Sequence, residues 1–381
     1  MNTTQTNPPS PFGQALATAL EGRTQGCYDL DLPSSELSSF AAAMVEQILG
    51  AYVPDAEARG ELLGRMQEYA TANAAYAFVD VDPIREPSAQ FVREHEHLAA
   101  TFHGRNARRL ELGTYRTFPD SVVEQHVAAE GLSEFIRLDY SDEFSPELVA
   151  DCAAIPLKDG SVDMVCSNSL FEHIAHPHRA IADGFRVLSP GGVMITTVPF
   201  LFTLHGCPSD YLRYTPQFLE QISREAGFSR VVCFTEEFSG AYYTMHAASK
   251  AVIAGQSAHP EVARATAVLH HNLMALLFML IPLDRYFMNQ ANNLFTSVRC
   301  IAYKEGEFTG RPASERGGDF LERNLDILRC PETGLDLRRA GRFLVTADGG
   351  RRYEVRGHSV NFVATRETAT PEDFQPDPAE G

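Results

Sequence analysis

Apolar residues recur at two different periods along this chain, and the change from one to the other falls near Arg108. Before it, Leu37, Phe40, Met44, Ile48 and Leu49 follow Ser35 at spacings of mostly three and four, which predicts a capped amphipathic helix. Leu62, Leu63, Met66, Tyr69 and Ala70 predict a second helix from Asp55 to about Tyr76, and a third is expected over Ser88 to Phe102. Beyond Arg108 come short apolar runs bounded by Gly, Pro and Asp. Arg108–Gly113, Phe135–Asp139, Leu148–Asp151, Val162–Ser167, Val193–Val198, Arg230–Phe234 and Phe295–Tyr303 read as strands. Helices are expected between them: Pro119–Glu130, stopped by Gly131; His178–Leu188; and Pro216–Ala226, stopped by Gly227. This alternation predicts an α/β fold with a doubly wound, mostly parallel seven-stranded sheet.

The same patterns divide the chain. Residues 1–34 are rich in Pro, Thr, Ser and Gly and read as a flexible arm, followed by a helical N-terminal region over 35–107. The α/β core is expected over 108–304, with residues 242–293 forming a helical insertion before the last strand. A linker over 305–325 leads to a small, mildly basic β module at 326–365. Phe343–Val345, a Gly349-Gly350 turn, Arg352–Val355 and Ser359–Val363 carry that module, and 366–381 reads as a disordered tail.

Composition narrows the function classes. A length of 381 residues suggests two or three folded units, and 44% apolar with 22% charged residues is an ordinary globular composition. Fifty acids against 32 bases give a net charge of −18. That argues against a bulk electrostatic grip on nucleic acid, which needs a basic footprint to displace counterions. The longest apolar run, Leu273–Leu283, contains Pro282 and falls short of a bilayer about 30 Å thick, so no membrane partner is expected. Met1–Gln14 has no Lys or Arg and no apolar core, unlike a secretory leader, and a cytoplasmic location is expected. Seven cysteines without a C-x-x-C pair argue against a disulfide framework or a metal clip.

In a doubly wound sheet the ligand site lies outside the carboxyl ends of the strands. Glu111, Gly113, Thr114 and Tyr115 end the first strand; Asp139 and Tyr140 the second; Asp151 and Cys152 the third; Asn168 and Ser169 the fourth. An acid after the second strand can accept from two vicinal ribose hydroxyls, and an acid one strand along can accept from an exocyclic amine. Together they describe an adenosine pocket.

The segment from Asp151 to Val198 resembles the class I S-adenosylmethionine-dependent methyltransferases. The residues that carry the resemblance are Ile155-Pro156-Leu157-Lys158-Asp159-Gly160-Ser161-Val162-Asp163, Ser169-Leu170-Phe171-Glu172-His173-Ile174 and Arg186-Val187-Leu188-Ser189-Pro190-Gly191-Gly192. Val198-Pro199-Phe200, His205 and the run Pro208–Pro216 are similar to a subgroup associated with small molecules and surface polysaccharides. The resemblance implies S-adenosyl-L-methionine as cofactor, S-adenosylhomocysteine as product and a small-molecule acceptor with an O, N or S nucleophile. It departs from the family at Glu111-Leu112-Gly113-Thr114-Tyr115-Arg116, where one glycine stands in place of the usual three and Tyr115 either covers the cofactor or fills its pocket.

Methyl transfer needs positioning, exclusion of water and, for a hydroxyl or amine, a base. His205 is the candidate base; Asp210 would orient it or a substrate amine, and Arg213 would pair a substrate carboxylate or phosphate. Tyr211 and Tyr214 would form the wall, unless Asp210, Arg213 and the tyrosines simply pin their loop to the sheet. Glu172 beside His173 reads as a helix-start cap. His173, His176 and His178 lack a further carboxylate or thiol, so no metal is expected.

The C-terminal stretch Asn324–Pro331 and Arg352–Val355 resembles the zinc-ribbon activators of tRNA methyltransferases. Cys330, Thr333, Thr346 and Gly349 stand where that family has four metal-binding cysteines, so the module is expected to carry no zinc. Two other readings stay open: a non-catalytic scaffold that binds a partner, and an RNA or protein methyltransferase with its activator in cis. A homodimer also stays open.

Overall fold

The protein is described here from a computed structural model, over residues 34–73, 89–102, 105–113, 132–205, 209–235, 241–250, 260–286, 294–311 and 318–363. The expected arm up to residue 33, the helix at 119–130 and the tail after 363 lie outside the described residues. The helices are α1 (Ser34–Tyr52), α2 (Ala56–Asn73), α3 (Ala89–Phe102), α4 (Pro177–Val187), α5 (Pro216–Ala226), α6 (Ala241–Lys250), α7 (Pro260–Leu280) and α8 (Phe320–Asn324). The strands are β1 (Ala107–Leu112), β2 (Leu132–Asp139), β3 (Leu148–Val149), β4 (Val162–Asn168), β5 (Leu188–Pro199), β6 (Arg230–Thr235) and β7 (Ser297–Tyr303). Four more follow: β8 (Leu337–Ala340), β9 (Phe343–Thr346), β10 (Arg352–Arg356) and β11 (Ser359–Asn361). No helix among the described residues is long and apolar enough to cross a membrane.

The chain divides into a helical unit (1–87, 201–203 and 236–296) and a sheet unit (88–200, 204–235 and 297–381). In the helical unit Ala41, Ala42 and Val45 of α1 share one core with Met66 of α2, Tyr243 of α6 and Met274, Ala275 and Phe278 of α7. The N-terminal helices and the insertion, read separately in the sequence, therefore bury each other's apolar faces. Local chemistry sets their ends. Asp55 accepts from the amides of Glu57 and Ala58 at 2.8 and 3.1 Å, capping α2. The buried Asp284 carboxylate accepts from the amides of Tyr242 and Tyr243 at 3.0 Å, at the start of α6.

The sheet unit has strand order β6-β7-β5-β4-β1-β2-β3-β11-β10-β9-β8. β3, β2, β1, β4 and β5 run parallel, and β7 is antiparallel to both β5 and β6. The seven-stranded expectation is corrected here: among the described residues the sheet has eleven strands. A strand edge carries unpaired amides and carbonyls, and β11 satisfies those of β3 by pairing with it in parallel. The amides of Val360 and Phe362 donate to Glu147 and Val149. The antiparallel β8–β11 unit thereby continues the sheet.

The sheet is covered on both faces, as alternation along β4 and β5 requires. Met164, Val193 and Ile195 point to one face and pack with Leu98 and Phe102 of α3. The sequence reading groups that helix with residues 35–107; its buried face belongs to the sheet. Val165 and Met194 point to the other face, beneath α4. Gly184 makes that approach possible, because a Cβ there would come within 3.2 Å of Met194 Sδ. In the added module the positions compared with metal ligands make hydrogen bonds: Cys330 Sγ lies 3.0 Å from the Tyr353 hydroxyl, and Thr346 donates to Asp348 at 2.6 Å.

Candidate active site

Sheet register lines up the predicted cofactor residues. Leu112 pairs with Leu138 on one side and Ser167 on the other, and Asp139 pairs with Val149. The chain therefore leaves β4, β1, β2 and β3 side by side, with Asn168, Gly113, Asp139 and Asp151 along one edge. Gly113 has φ +80°, a left-handed conformation that a side chain strains, and a Cβ there would lie 3.1 Å from Leu170 Cδ1. Its amide donates to Leu138 O. Asp139 is half-buried and Asp151 exposed, and each uses Oδ1 to hold its own turn, accepting from Ser141 N and Ala153 N. Tyr140 is exposed beside Asp139. Ser169, exposed next to Asn168, has φ +49°, a strained value for a residue with a side chain.

Other predicted residues take different places. Glu111 is buried within β1, 3.7 Å from the Arg109 guanidinium. Cys152 is buried, and that burial pushes its thiol up to about 12, which keeps it neutral. Thr114 and Tyr115 lie outside the described residues.

A second cluster sits next to this edge. After β4 a short 3-10 turn, Phe171–His173, carries Glu172, whose side chain is fully buried. His205 follows β5, the parallel neighbour of β4, and its Nε2 lies 3.8 Å from Glu172 Oε1. His173 Nε2 lies 3.7 Å from the same oxygen, and the two imidazole rings meet edge to face at 4.9 Å. Burial pushes the Glu172 carboxyl up to about 7.

Asp210 stands against His205. Its Oδ2 accepts from the His205 amide at 2.9 Å and lies 3.4 Å from Nδ1. The Arg213 guanidinium grips both Asp210 oxygens, at 2.5 and 2.7 Å, and holds that carboxyl well below the usual carboxylate range. Arg213 is thus committed to Asp210. Tyr214 is fully buried and donates its hydroxyl to Phe171 O at 2.7 Å, so it braces Glu172's turn from behind and does not line an open wall. Tyr211 is exposed, and its amide donates to Glu172 O at 2.7 Å. His176 and His178 are exposed, 5.8 Å apart by ring centroids.

The stretches between these loops hold one another. Arg186 donates to the carbonyls of Ile155 and Leu157 and to Asp183 and Asp159, and Asp183 accepts from the Ile155 amide.

Residues 119–196 match the methyltransferase domain family. The matched span includes β2, β3, β4 and most of β5, with the turn that bears Glu172 and His173. Among curated proteins, the malonyl-[acyl-carrier protein] O-methyltransferase of Methylococcus capsulatus is 35% identical over 96 residues, 23% of this chain and 35% of that enzyme. The chain spans about a third or less of the length of the curated relatives it matches. Among solved structures, the complex of the Haloferax volcanii Trm112 methyltransferase activator with a methyltransferase aligns with a TM-score of 0.36 and 17% identity, over 55% of this chain and 88% of that one. Haemonchus contortus phosphoethanolamine N-methyltransferase 2, with phosphomonomethylethanolamine and S-adenosylhomocysteine, aligns with a TM-score of 0.34 and 15% identity, over 63% and 57%.

The methyltransferase domain match leaves Glu172 unassigned, and the sequence reading took it for a cap. The signal was present: an acid and a histidine directly after one strand, and a histidine after the strand that pairs with it.

Proposed function

We propose that this protein transfers a methyl group from S-adenosyl-L-methionine to an O, N or S nucleophile of a small molecule, releasing S-adenosylhomocysteine. The observation that carries this reading is the row of Gly113, Asp139, Asp151 and Asn168 along the carboxyl edge of a sheet whose middle matches the methyltransferase domain family. The residues fit the cofactor. Asp139 would accept from two vicinal hydroxyls and Asp151 from an exocyclic amine, and Gly113 leaves its backbone uncovered by a side chain of its own. Tyr140, exposed beside Asp139, would cover the nucleoside. When bound, the cofactor supplies an electrophilic methyl on sulfur.

The chain's part is to bind, orient and take up a proton. His205, Glu172 and Asp210 lie four or more residues beyond the β4 and β5 ends, where an acceptor would meet the donor. Asp210, fixed by Arg213, sets the imidazole of His205, and the proton of a hydroxyl or amine acceptor leaves toward that imidazole. Arg213 serves by anchoring Asp210, which replaces the substrate-pairing role expected from sequence. The C-terminal module, by extending the sheet at β3, braces the loop that carries Asp151. The acidic chain and the well-formed site favour a small acceptor over nucleic acid, and catalysis over a scaffold role.

The test is turnover. Incubation with methyl-labelled S-adenosylmethionine and panels of small hydroxyl, amine and thiol compounds should yield labelled product and S-adenosylhomocysteine in an acceptor-dependent manner. Tight cofactor binding without label transfer to any panel would favour the scaffold reading.

A further inference from the structure

Glu172 is fully buried, and neither of its carboxylate oxygens has a hydrogen-bond partner. A carboxyl group shut away from water without donors is costly, and such a group in a folded protein calls for an explanation. What surrounds it is ordered nitrogen. His173 Nε2 stands at 3.7 Å and His205 Nε2 at 3.8 Å from Oε1, and the three ligand atoms all lie within 4.8 Å of one another. Donors about 2.1 Å from a tetrahedral ion sit about 3.4 Å apart, so both Glu172–histidine separations are within about 0.4 Å of what a bound cation needs, and the two histidines have only to turn toward each other.

The outer contacts turn Nε2 of each ring toward Glu172. His173 Nδ1 lies 2.6 Å from Ser209 O. A carbonyl only accepts, so Nδ1 carries a proton and Nε2 is the ring nitrogen that faces Glu172. His205 Nδ1 lies 3.4 Å from Asp210, a carboxylate that Arg213 keeps ionised, so an acceptor stands behind this ring too and Nε2 faces Glu172. Carbonyl or carboxylate partners behind the ligating histidines are the usual support of such sites.

We propose that Glu172, His173 and His205 form a binding site for a divalent transition-metal ion. Two neutral imidazoles and one carboxylate carry a charge of −1, complementary to a divalent cation. Nitrogen donors favour ions of the zinc, iron or cobalt type over magnesium or calcium, which prefer oxygen. Three protein ligands leave coordination positions open, and the half-exposed face of His205 gives them access. The ion site itself does not depend on methyl transfer. Its use does rest on the function proposed above: an acceptor hydroxyl or carboxylate oxygen would occupy the open position, beside the edge that holds Asn168, and His205 would then act as a ligand and not as the base.

The test is a Co2+ titration of the chelator-treated full chain, followed by visible absorption, with a parallel calorimetric titration of S-adenosylhomocysteine. One Co2+ per chain with d–d bands is expected. Glu172→Gln and His205→Ala should abolish the bands, Asp210→Asn should weaken binding about 10- to 100-fold, and His176→Ala should bind as the parent does. Absence of Co2+ binding by a chain that still binds S-adenosylhomocysteine overturns the metal site and leaves the methyltransferase reading standing. Bands that persist in both Glu172→Gln and His205→Ala also overturn it. Co2+ binding without S-adenosylhomocysteine binding upholds the site and overturns the methyltransferase reading.

Discussion

The carboxylate of Glu172 and the imidazole of His205 face each other across 3.8 Å, although they stand 33 positions apart in the sequence. Parallel pairing produces this. β4 and β5 run in register up to Asn168 and Thr197, so the loops leaving their carboxyl ends emerge side by side. The backbone completes the junction, with the amides of Tyr211 and Leu212 both donating to Glu172 O. An acid that reads as a cap in one dimension becomes the buried centre of a cluster in three.

Tyr214 tests the bracing of that cluster. Its buried hydroxyl serves the Phe171 carbonyl, which also accepts from the Ile174 amide at 3.2 Å, so Tyr214→Phe removes one of that carbonyl's two hydrogen bonds. The expected cost is about 0.5–1.5 kcal/mol in urea unfolding, with turnover lowered through displacement of Glu172. Unchanged stability and turnover would show that the bond does not hold the turn.

Arg186 tests why the stretches that resemble methyltransferases occur together. Its guanidinium ties the loop at 155–159 to α4, and its removal takes the counter-charge from the largely buried Asp183, which keeps only the Ile155 amide against it. Arg186→Ala is expected to destabilise the sheet unit by about 3–5 kcal/mol in denaturant unfolding. Arg186→Lys should recover only part of this, since one ammonium cannot reproduce the fork.

Gly113 reports on the first loop. Gly113→Ala places a side chain at φ +80° against Leu170, at a cost of about 1–2 kcal/mol. Because the residue lies between β1 and the cofactor edge, S-adenosylhomocysteine affinity should fall with it. Calorimetry on the folded variant separates the two effects.

The module's attachment rests on one short ladder. Val360→Pro removes the amide that donates to Glu147 O, at a position paired with Leu148. The expected cost is about 3 kcal/mol in denaturant unfolding of the module, seen also as faster proteolysis between residues 318 and 336. Proteolysis at the parent rate would mean that side-chain packing alone holds the module.

Much of this architecture was legible in the sequence. Pro216–Ala226 was bounded correctly because Thr215 caps one end, accepting from Phe218 N, and Gly227 closes the other at φ +113°. The strands of the core were found from β-branched runs between turn residues. The eleven-strand sheet was not, because β11 is three residues long and its pairing with β3 joins positions more than 200 residues apart. The packing partner of α3 was not legible for a similar reason: its amphipathic stripe shows that it packs and not against what. In the site, Asp210 and His205 were readable from their spacing. Arg213 and Tyr214 read equally as substrate contacts or as pins for their loop, because the sequence shows a donor and a ring but not the partner each has already taken.

The central claim is that the row Gly113, Asp139, Asp151 and Asn168 binds S-adenosylmethionine. The most direct measurement is calorimetric titration of the purified protein with S-adenosylhomocysteine, beside Asp139→Ala. Asp139 is half-buried and its Oδ1 serves the amide of Ser141, so the variant should fold. Micromolar binding by the parent, weakened about 10- to 100-fold in the variant through loss of charged hydrogen bonds worth about 1.5–3 kcal/mol, is the predicted result. A folded parent chain that binds no S-adenosylhomocysteine would contradict the account.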